Sequence, residues 1–231
     1  MTTVTIEATD GGSFDAYLAI PSSGKGPGLV LIQEIFGVNA NMRALCDHYA
    51  ALGYTALCPD LFWRQEPGVQ LTDKTEAEWQ RAFQLYNGFS EASGVEDLIA
   101  SVNFLREHEA TGRKVGTLGY CLGGKLAFLM ATRSDADANV SYYGVGLDGA
   151  LGEISAVTKP LLLHTAGKDK FSSDETRAKV SAAIEGNHLI TQHLYADQDH
   201  AFARVGGEHY DAAAADLANQ RTATFLKETL S

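Results

Sequence analysis

Short runs of β-branched and apolar residues alternate along this chain with longer segments in which apolar residues recur every three or four positions. Strands are predicted at VTIEA (Val4 to Ala8), FDAYLAI (Phe14 to Ile20), GLVLIQE (Gly28 to Glu34) and YTALCPD (Tyr54 to Asp60). Four more follow at KVGTLGY (Lys114 to Tyr120), NVSYYG (Asn139 to Gly144), PLLLHTAG (Pro160 to Gly167) and LITQHLY (Leu189 to Tyr195). The first two, separated by DGGS, predict an antiparallel hairpin. Several later runs are apolar on consecutive residues, as parallel strands covered on both faces are.

Between strands the period changes to that of a helix. Val95, Leu98, Ile99, Val102 and Leu105 fall on one face, and Ser93 with Glu96 offers a capping box at the start. Ser172 with Glu175 offers another ahead of a helix from Thr176 to Glu185, and Asp211 to Leu230 predicts a C-terminal helix. Strands alternating with helices predict the α/β class, with a mostly parallel central sheet of about seven or eight strands and helices on both faces. At 231 residues and 45% hydrophobic composition, with no repeat or linker, residues 1–231 are expected to form a single domain.

Charge narrows the partners. Acidic residues outnumber basic ones 29 to 18, a formal charge of -11 that repels phosphate backbones and anionic membrane surfaces, so neither nucleic acid nor membrane is expected as a partner. The segment MTTVTIEATDGG lacks a basic region followed by an apolar run, and no stretch reaches 18 consecutive apolar residues. A cytoplasmic monomer is expected. Cys46, Cys58 and Cys121 are odd in number and include no CxxC pair, which suggests neither a disulfide framework nor a cysteine-based zinc site.

Candidate chemistry enters at TLGYCLGGK (Thr117 to Lys125). Gly119-Tyr120-Cys121-Leu122-Gly123 has the spacing of a hydrolase nucleophile turn, with cysteine where serine is usual, and it lies where an apolar strand gives way to an apolar helix. A corner that sharp needs small residues two before and two after its centre, and it sets the thiol at a helix N-terminus, where unpaired N–H groups favour a thiolate. The alternative is a buried structural cysteine. A thiol nucleophile needs a base, and the base an orienting acid. Asp169 in AGKDKF and His200 in ADQDHAF follow the next strands in the order nucleophile, acid, base. Asp197 and Asp199 are rival acids on the histidine's own loop. Of the other histidines, His48 and His108 fall in predicted helices, His164 and His193 in strands, His188 on a turn and His209 beside the last helix.

With QEIFGVN (Gln33 to Asn39), GY-x-A-x-CPDL (Gly53 to Leu61), GYCLGG (Gly119 to Gly124), YYGVGL (Tyr142 to Leu147), G-x-D-x-F (Gly167 to Phe171), H-x-FAR (His200 to Arg204) and LAN-x-RT (Leu217 to Thr222), the chain resembles the dienelactone hydrolases, the cysteine-dependent branch of the α/β-hydrolase superfamily. The resemblance implies an α/β-hydrolase fold without a cap domain and a triad of Cys121, Asp169 and His200. It also implies oxyanion donors at the N–H groups of Leu122 and Ile35, and neither metal nor organic cofactor. The implied reaction opens an activated cyclic enol ester to an acid such as maleylacetate through a thioester. By the same resemblance Glu34 lies near the sulfur and pairs with Arg204. An arriving substrate carboxylate would then compete for Arg204 and free Glu34 to help deprotonate Cys121; a static ion pair is the alternative.

Two positions depart from the family pattern. Trp79 stands where the family places an arginine for the substrate carboxylate, with Arg81 two residues on and therefore on a nearly opposite side of a helix. Ala201 replaces a small hydroxyl residue after the histidine. With Phe36, Trp79, Phe83, Tyr143 and Phe202 as candidate pocket residues, a carboxylesterase for bulkier neutral esters, activated phosphoesters included, is the second reading. A thiol redox sensor built on Cys121 is the third.

Overall fold

The computed structural model describes residues 2–230, which fall into two compact units, one reaching to Gly116 and the other starting at Thr117. In the first unit, β1 (Thr2–Glu7) and β2 (Ser13–Ala19) form the antiparallel hairpin, with Thr2 opposite Leu18 and Glu7 opposite Ser13. β3 (Gly26–Ile32) runs parallel to β4 (Thr55–Pro59), and β2 lies antiparallel to β4, so the order is β1-β2-β4-β3. Burial follows the residue pattern. Phe14, Ala16 and Leu18 of β2 alternate inward, while Leu29 to Ile32 and Ala56 to Cys58 have no exposed surface.

The strands lie where the apolar runs predict them, with ends displaced by up to three residues. β3 stops at Ile32, so Glu34 lies beyond the strand that the run GLVLIQE extends to it. Gln33 ends it: its side chain accepts from the Leu61 N–H (3.1 Å) and donates to the Glu34 carbonyl (3.3 Å). α1 (Ala40–Ala51), α2 (Glu76–Asn87) and α3 (Glu91–Glu107) complete the unit. α3 buries Val95, Leu98, Val102 and Leu105, with Ile99 half-buried at the edge of the stripe. Its cap is Ser90, one turn before the predicted Ser93. The Ser90 hydroxyl accepts from the Ser93 N–H (3.2 Å), and the Ser93 hydroxyl turns back onto it (3.0 Å). His108, expected within this helix, is its C-cap.

β5 (Thr111–Tyr120) carries the chain into the second unit, where β5, β6 (Asn139–Tyr142), β7 (Leu161–Ala166) and β8 (Ile190–Tyr195) pair in parallel in chain order. One row of that ladder reads Tyr120, Tyr142, His164, His193. β6 ends at Tyr142, not Gly144, because Tyr143 turns to a φ of 37° and leaves the extended region. α4 (Leu122–Arg133) is buried over most of its circumference, as its nearly unbroken apolar composition requires. A 3-10 helix (Leu147–Ala156), α5 (Asp174–Ile184) and α6 (Ala212–Leu230) follow. α5 is capped by Ser173, one residue past the predicted Ser172, through the Thr176 N–H (3.1 Å), and Asp211 accepts from the Ala214 N–H (2.9 Å) where α6 begins. Among the described residues no helix is long and apolar enough to cross a membrane.

Candidate active site

β5 ends at Tyr120 and α4 begins at Leu122, which leaves Cys121 alone at the corner with φ 56° and ψ -115°. Positive φ costs a non-glycine residue on the order of 1–3 kcal/mol and persists only where its surroundings over-determine it. The surroundings here are backbone. A Cβ on Gly119 would lie 1.9 Å from the Gly123 carbonyl oxygen, and one on Gly124 2.5 Å from that of Tyr142, so only glycine lets strand, corner and helix approach this closely. The Cys121 N–H donates to the Tyr142 carbonyl (3.1 Å), and the Lys125 N–H to the Cys121 carbonyl (3.1 Å). The thiol, 8% exposed, therefore sits at the head of a twelve-residue helix whose first N–H groups have no partner within the helix.

Two loops bring the other groups to it. Asp169 lies on the loop after β7 and His200 on the loop after β8, and both are buried. The His200 Nδ1–H donates to Asp169 Oδ2 at 2.7 Å, and the Phe171 N–H donates to Asp169 Oδ1 at 2.8 Å, so the carboxylate is fixed on both oxygens. Cys121 lies close enough to His200 to act on its protonation. Neither rival acid faces the ring by this route: Asp197 is exposed beside Lys168 (3.2 Å), and Asp199 lies 3.9 Å from His209. The Lys168 N–H bonds to the Gln198 carbonyl (2.8 Å) and the Gly167 N–H to that of Tyr195 (2.8 Å), which lock the two loops together.

Burial works against a charge on His200. The negative charge of Cys121, the hydrogen bonds to Asp169 and Cys121 and the charge of Asp169 outweigh it, and the pKa is pushed up to about 10. The arrangement favours a protonated imidazole beside Asp169. Around it, the Tyr143 ring lies 5.1 Å from His200, and Phe202 packs edge-on to Tyr143 at 5.6 Å. Ala201, next to the histidine, takes a positive φ of 64°.

Two contributors escape a reading by spacing. Phe171 sets its ring edge-on to His200 at 4.9 Å while remaining 41% exposed; its place in the G-x-D-x-F motif is the signal that marks it. Arg177, on the first turn of α5, donates to the carbonyls of Asp169 (3.3 Å) and Ser172 and pairs with Asp174, and no periodicity announces it. With Asp169, Ser172 and Tyr143 it also lines a cavity of about 20 Å³. Arg177→Met keeps the apolar stem and removes the guanidinium. Charge-assisted hydrogen bonds contribute about 1.5–3 kcal/mol each, so urea denaturation is expected to show a loss of about 1–3 kcal/mol. An unchanged midpoint would mean the clamp is idle.

The remaining candidates divide between the units. Arg204 follows His200 in the second unit, its N–H bonded to the Ala201 carbonyl (2.9 Å), and Leu122 opens α4. Glu34, Ile35 and Phe36 are buried in the first unit. There Phe36 meets Trp79 edge-on at 5.0 Å, Trp79 stacks on Phe83 at 5.7 Å, and the Trp79 indole N–H donates to the Asp73 carbonyl (3.1 Å). Arg81 is committed elsewhere: its guanidinium grips the Glu66 carboxylate and reaches Gln84 at 3.1 Å. Cys46 and Cys58, also in the first unit, are fully buried, and burial first, then the neighbouring Cys58 thiol, pushes Cys46 well up. Among the described residues no group of three or more His, Cys, Asp or Glu is placed to hold a metal ion.

The model of the Dienelactone hydrolase family matches residues 14–230 of the chain. A "Putative carboxymethylenebutenolidase" of Azospirillum brasilense is 56% identical over 232 residues, all of both chains, and a carboxymethylenebutenolidase of Pseudomonas putida is 40% identical over 223 residues, 96% of this chain and 94% of that one. Among solved structures, a dienelactone hydrolase-like promiscuous phosphotriesterase from metagenomic libraries superposes with a TM-score of 0.82 at 22% identity, covering 100% of this chain and 99% of that one. That likeness is one of fold: the α/β-hydrolase fold.

Proposed function

The chain belongs to the dienelactone hydrolase family, and from that premise we propose that it hydrolyses an activated cyclic enol ester, a dienelactone (4-carboxymethylenebut-2-en-4-olide), to maleylacetate with Cys121 as nucleophile. The observation that carries this is the buried line from Cys121 through His200 to Asp169, closed by the 2.7 Å bond to Asp169 Oδ2. In the proposed reaction the Cys121 sulfur attacks the lactone carbonyl carbon, and the carbonyl oxygen becomes an oxyanion. The Leu122 N–H, in the first turn of α4, is the first donor to it, and the Ile35 N–H is assigned as the second by family resemblance. Each such donor contributes about 3 kcal/mol. Collapse expels the ring oxygen, which takes its proton from His200 Nε2 and leaves a thioester. Water then attacks the thioester, its proton passing to His200, and the thiolate departs as the open-chain acid is released. Asp169 holds the ring in the tautomer both transfers need. Arg204 is the proposed anchor for the substrate carboxylate.

One observation favours a second reading. Arg81, the cation nearest in sequence to the place where the family carries its arginine, is engaged with Glu66, and Trp79 fills that place. A broader carboxylesterase for neutral aryl esters follows from that. A redox sensor is disfavoured, because a resolving thiol must be reactive and Cys46 is buried and held protonated. Product analysis with cis- and trans-dienelactone beside a neutral aryl ester decides: release of maleylacetate at a kcat/KM well above that for the aryl ester supports the lactonase, and the reverse order supports the esterase. Absence of turnover on all three would reject the hydrolase reading.

A further inference from the structure

Behind the nucleophile turn runs a chain of polar groups, buried at Tyr142, His164, Tyr195 and Thr222 and reaching the surface at Asn219, that the reaction does not use. His164 Nδ1 is 2.8 Å from the Tyr195 hydroxyl, and His164 Nε2 is 2.9 Å from the Thr222 hydroxyl. Thr222 Oγ1 is in turn 2.7 Å from the Tyr142 hydroxyl, which donates to Asn219 Oδ1 at 3.0 Å. The Arg221 guanidinium lies over the Tyr195 ring, 5.5 Å from its centroid. Asn219, Arg221 and Thr222 are the polar residues of LAN-x-RT on α6, a motif to which the reaction assigns no role.

The direction of every proton follows from the last acceptor. Tyr142 spends its proton on Asn219, so its oxygen accepts from Thr222. Thr222 then has none left for His164 and must accept from His164 Nε2–H. His164 Nδ1, without a proton, accepts from the Tyr195 hydroxyl. With the Asn219 oxygen turned to Tyr142, the relay runs in one direction, and His164 is neutral and protonated on Nε2. Burial first, then the charges of His193 and Arg221, pull the His164 pKa down to about 3, in agreement.

The relay ends on the residue that holds the nucleophile. The Tyr142 carbonyl receives the Cys121 N–H (3.1 Å), and the next residue, Tyr143, donates its N–H to the His164 carbonyl (2.8 Å) before touching His200. Tyr142 also stacks between Tyr120 (4.7 Å) and His164 (4.3 Å). A rotation of the Tyr142 ring or a shift of β6 past β7 would move both the strained corner and the ring beside the base.

We propose that Thr222, with His164 and Asn219, is a positioning residue that fixes Tyr142 and through it the sulfur of Cys121. The inference rests on the reading of Cys121 as nucleophile. Thr222→Val keeps the shape and removes the hydroxyl from the middle of the relay, and Thr222→Ser restores it. Misplacing a reacting group by an ångström costs up to about a hundredfold; Thr222→Val is expected to lower kcat about tenfold with KM within about twofold, and Thr222→Ser to recover most of it. The rate of Cys121 alkylation by iodoacetamide, followed by peptide mass, is expected to fall in parallel. That second readout needs no ester: a wild type that turns over no ester but whose alkylation responds as described removes the hydrolase reading and keeps this one. If Thr222→Val fails to fold, Asn219→Ala, which removes only the terminal acceptor, takes its place in the same assays. A variant with a lowered melting temperature but wild-type kcat and alkylation rate would reduce the relay to a stabilising network and overturn the proposal.

Discussion

Cys121→Ala is expected to lower kcat/KM for any ester the wild type hydrolyses by at least about 10⁴-fold while leaving the protein folded, since removal of the nucleophile from a triad leaves only oxyanion stabilisation and binding. The backbone of the variant is the same. Alanine has the same Cβ at the same φ of 56°, so the strain of the corner is unchanged, and the glycines at 119 and 124 that permit it are untouched. Cys121→Gly adds a separate check. Glycine enters positive φ without the Cβ penalty, so this variant should be equally inactive yet more stable than Cys121→Ala by about 1–2 kcal/mol in denaturant melts. Intact-mass measurement during turnover completes the test: an adduct of the acyl portion on wild type and none on either variant is expected. Substantial turnover by Cys121→Ala would end the thiol mechanism, and a glycine variant less stable than the alanine one would end the strain argument.

That corner was readable in the residues because it is local. Two glycines bracket a cysteine between an apolar strand and an apolar helix, and the backbone collisions that would follow a Cβ at Gly119 involve residues four apart. The strands were readable for the same reason, each being a run of β-branched or apolar residues. Boundaries were not, because they depend on which of two neighbouring groups takes a hydrogen bond: Ser90 against Ser93 at α3, Ser173 against Ser172 at α5, the Gln33 side chain against the β3 ladder. Partners across long chain separations were hidden altogether. His164 and Thr222 are 58 residues apart, and nothing in LAN-x-RT says that its threonine meets a strand histidine. Asp169 was legible among the three aspartates because it follows the strand before the histidine's own in the order nucleophile, acid, base, although Asp197 and Asp199 are nearer to His200 in the chain.

The choice of aspartate leads to the second large effect. Asp169→Asn is expected to lower kcat by about 10²–10⁴-fold, because the amide keeps an oxygen for the Phe171 N–H but presents its NH₂ to His200 Nδ1–H, which removes both the acceptor that fixes the ring and the carboxylate charge that favours the imidazolium needed to protonate the leaving oxygen. A pH signature separates this from simple misfolding. His200 titrates at about 10 instead of its ordinary 6.5, so its contribution to stability is fully present below pH 6.5 and is lost as pH rises through about 10. In Asp169→Asn two of the influences that raise that value, the hydrogen bond and the charge of the carboxylate, are gone. The decline in melting temperature attributable to His200 should therefore be complete at a lower pH than in wild type, with Cys121 alone left to hold the proton. Thermal melts of the two proteins at intervals from pH 6 to 11 make the comparison. Coincident profiles, or an asparagine variant with wild-type kcat, would mean that Asp169 neither charges nor orients the imidazole.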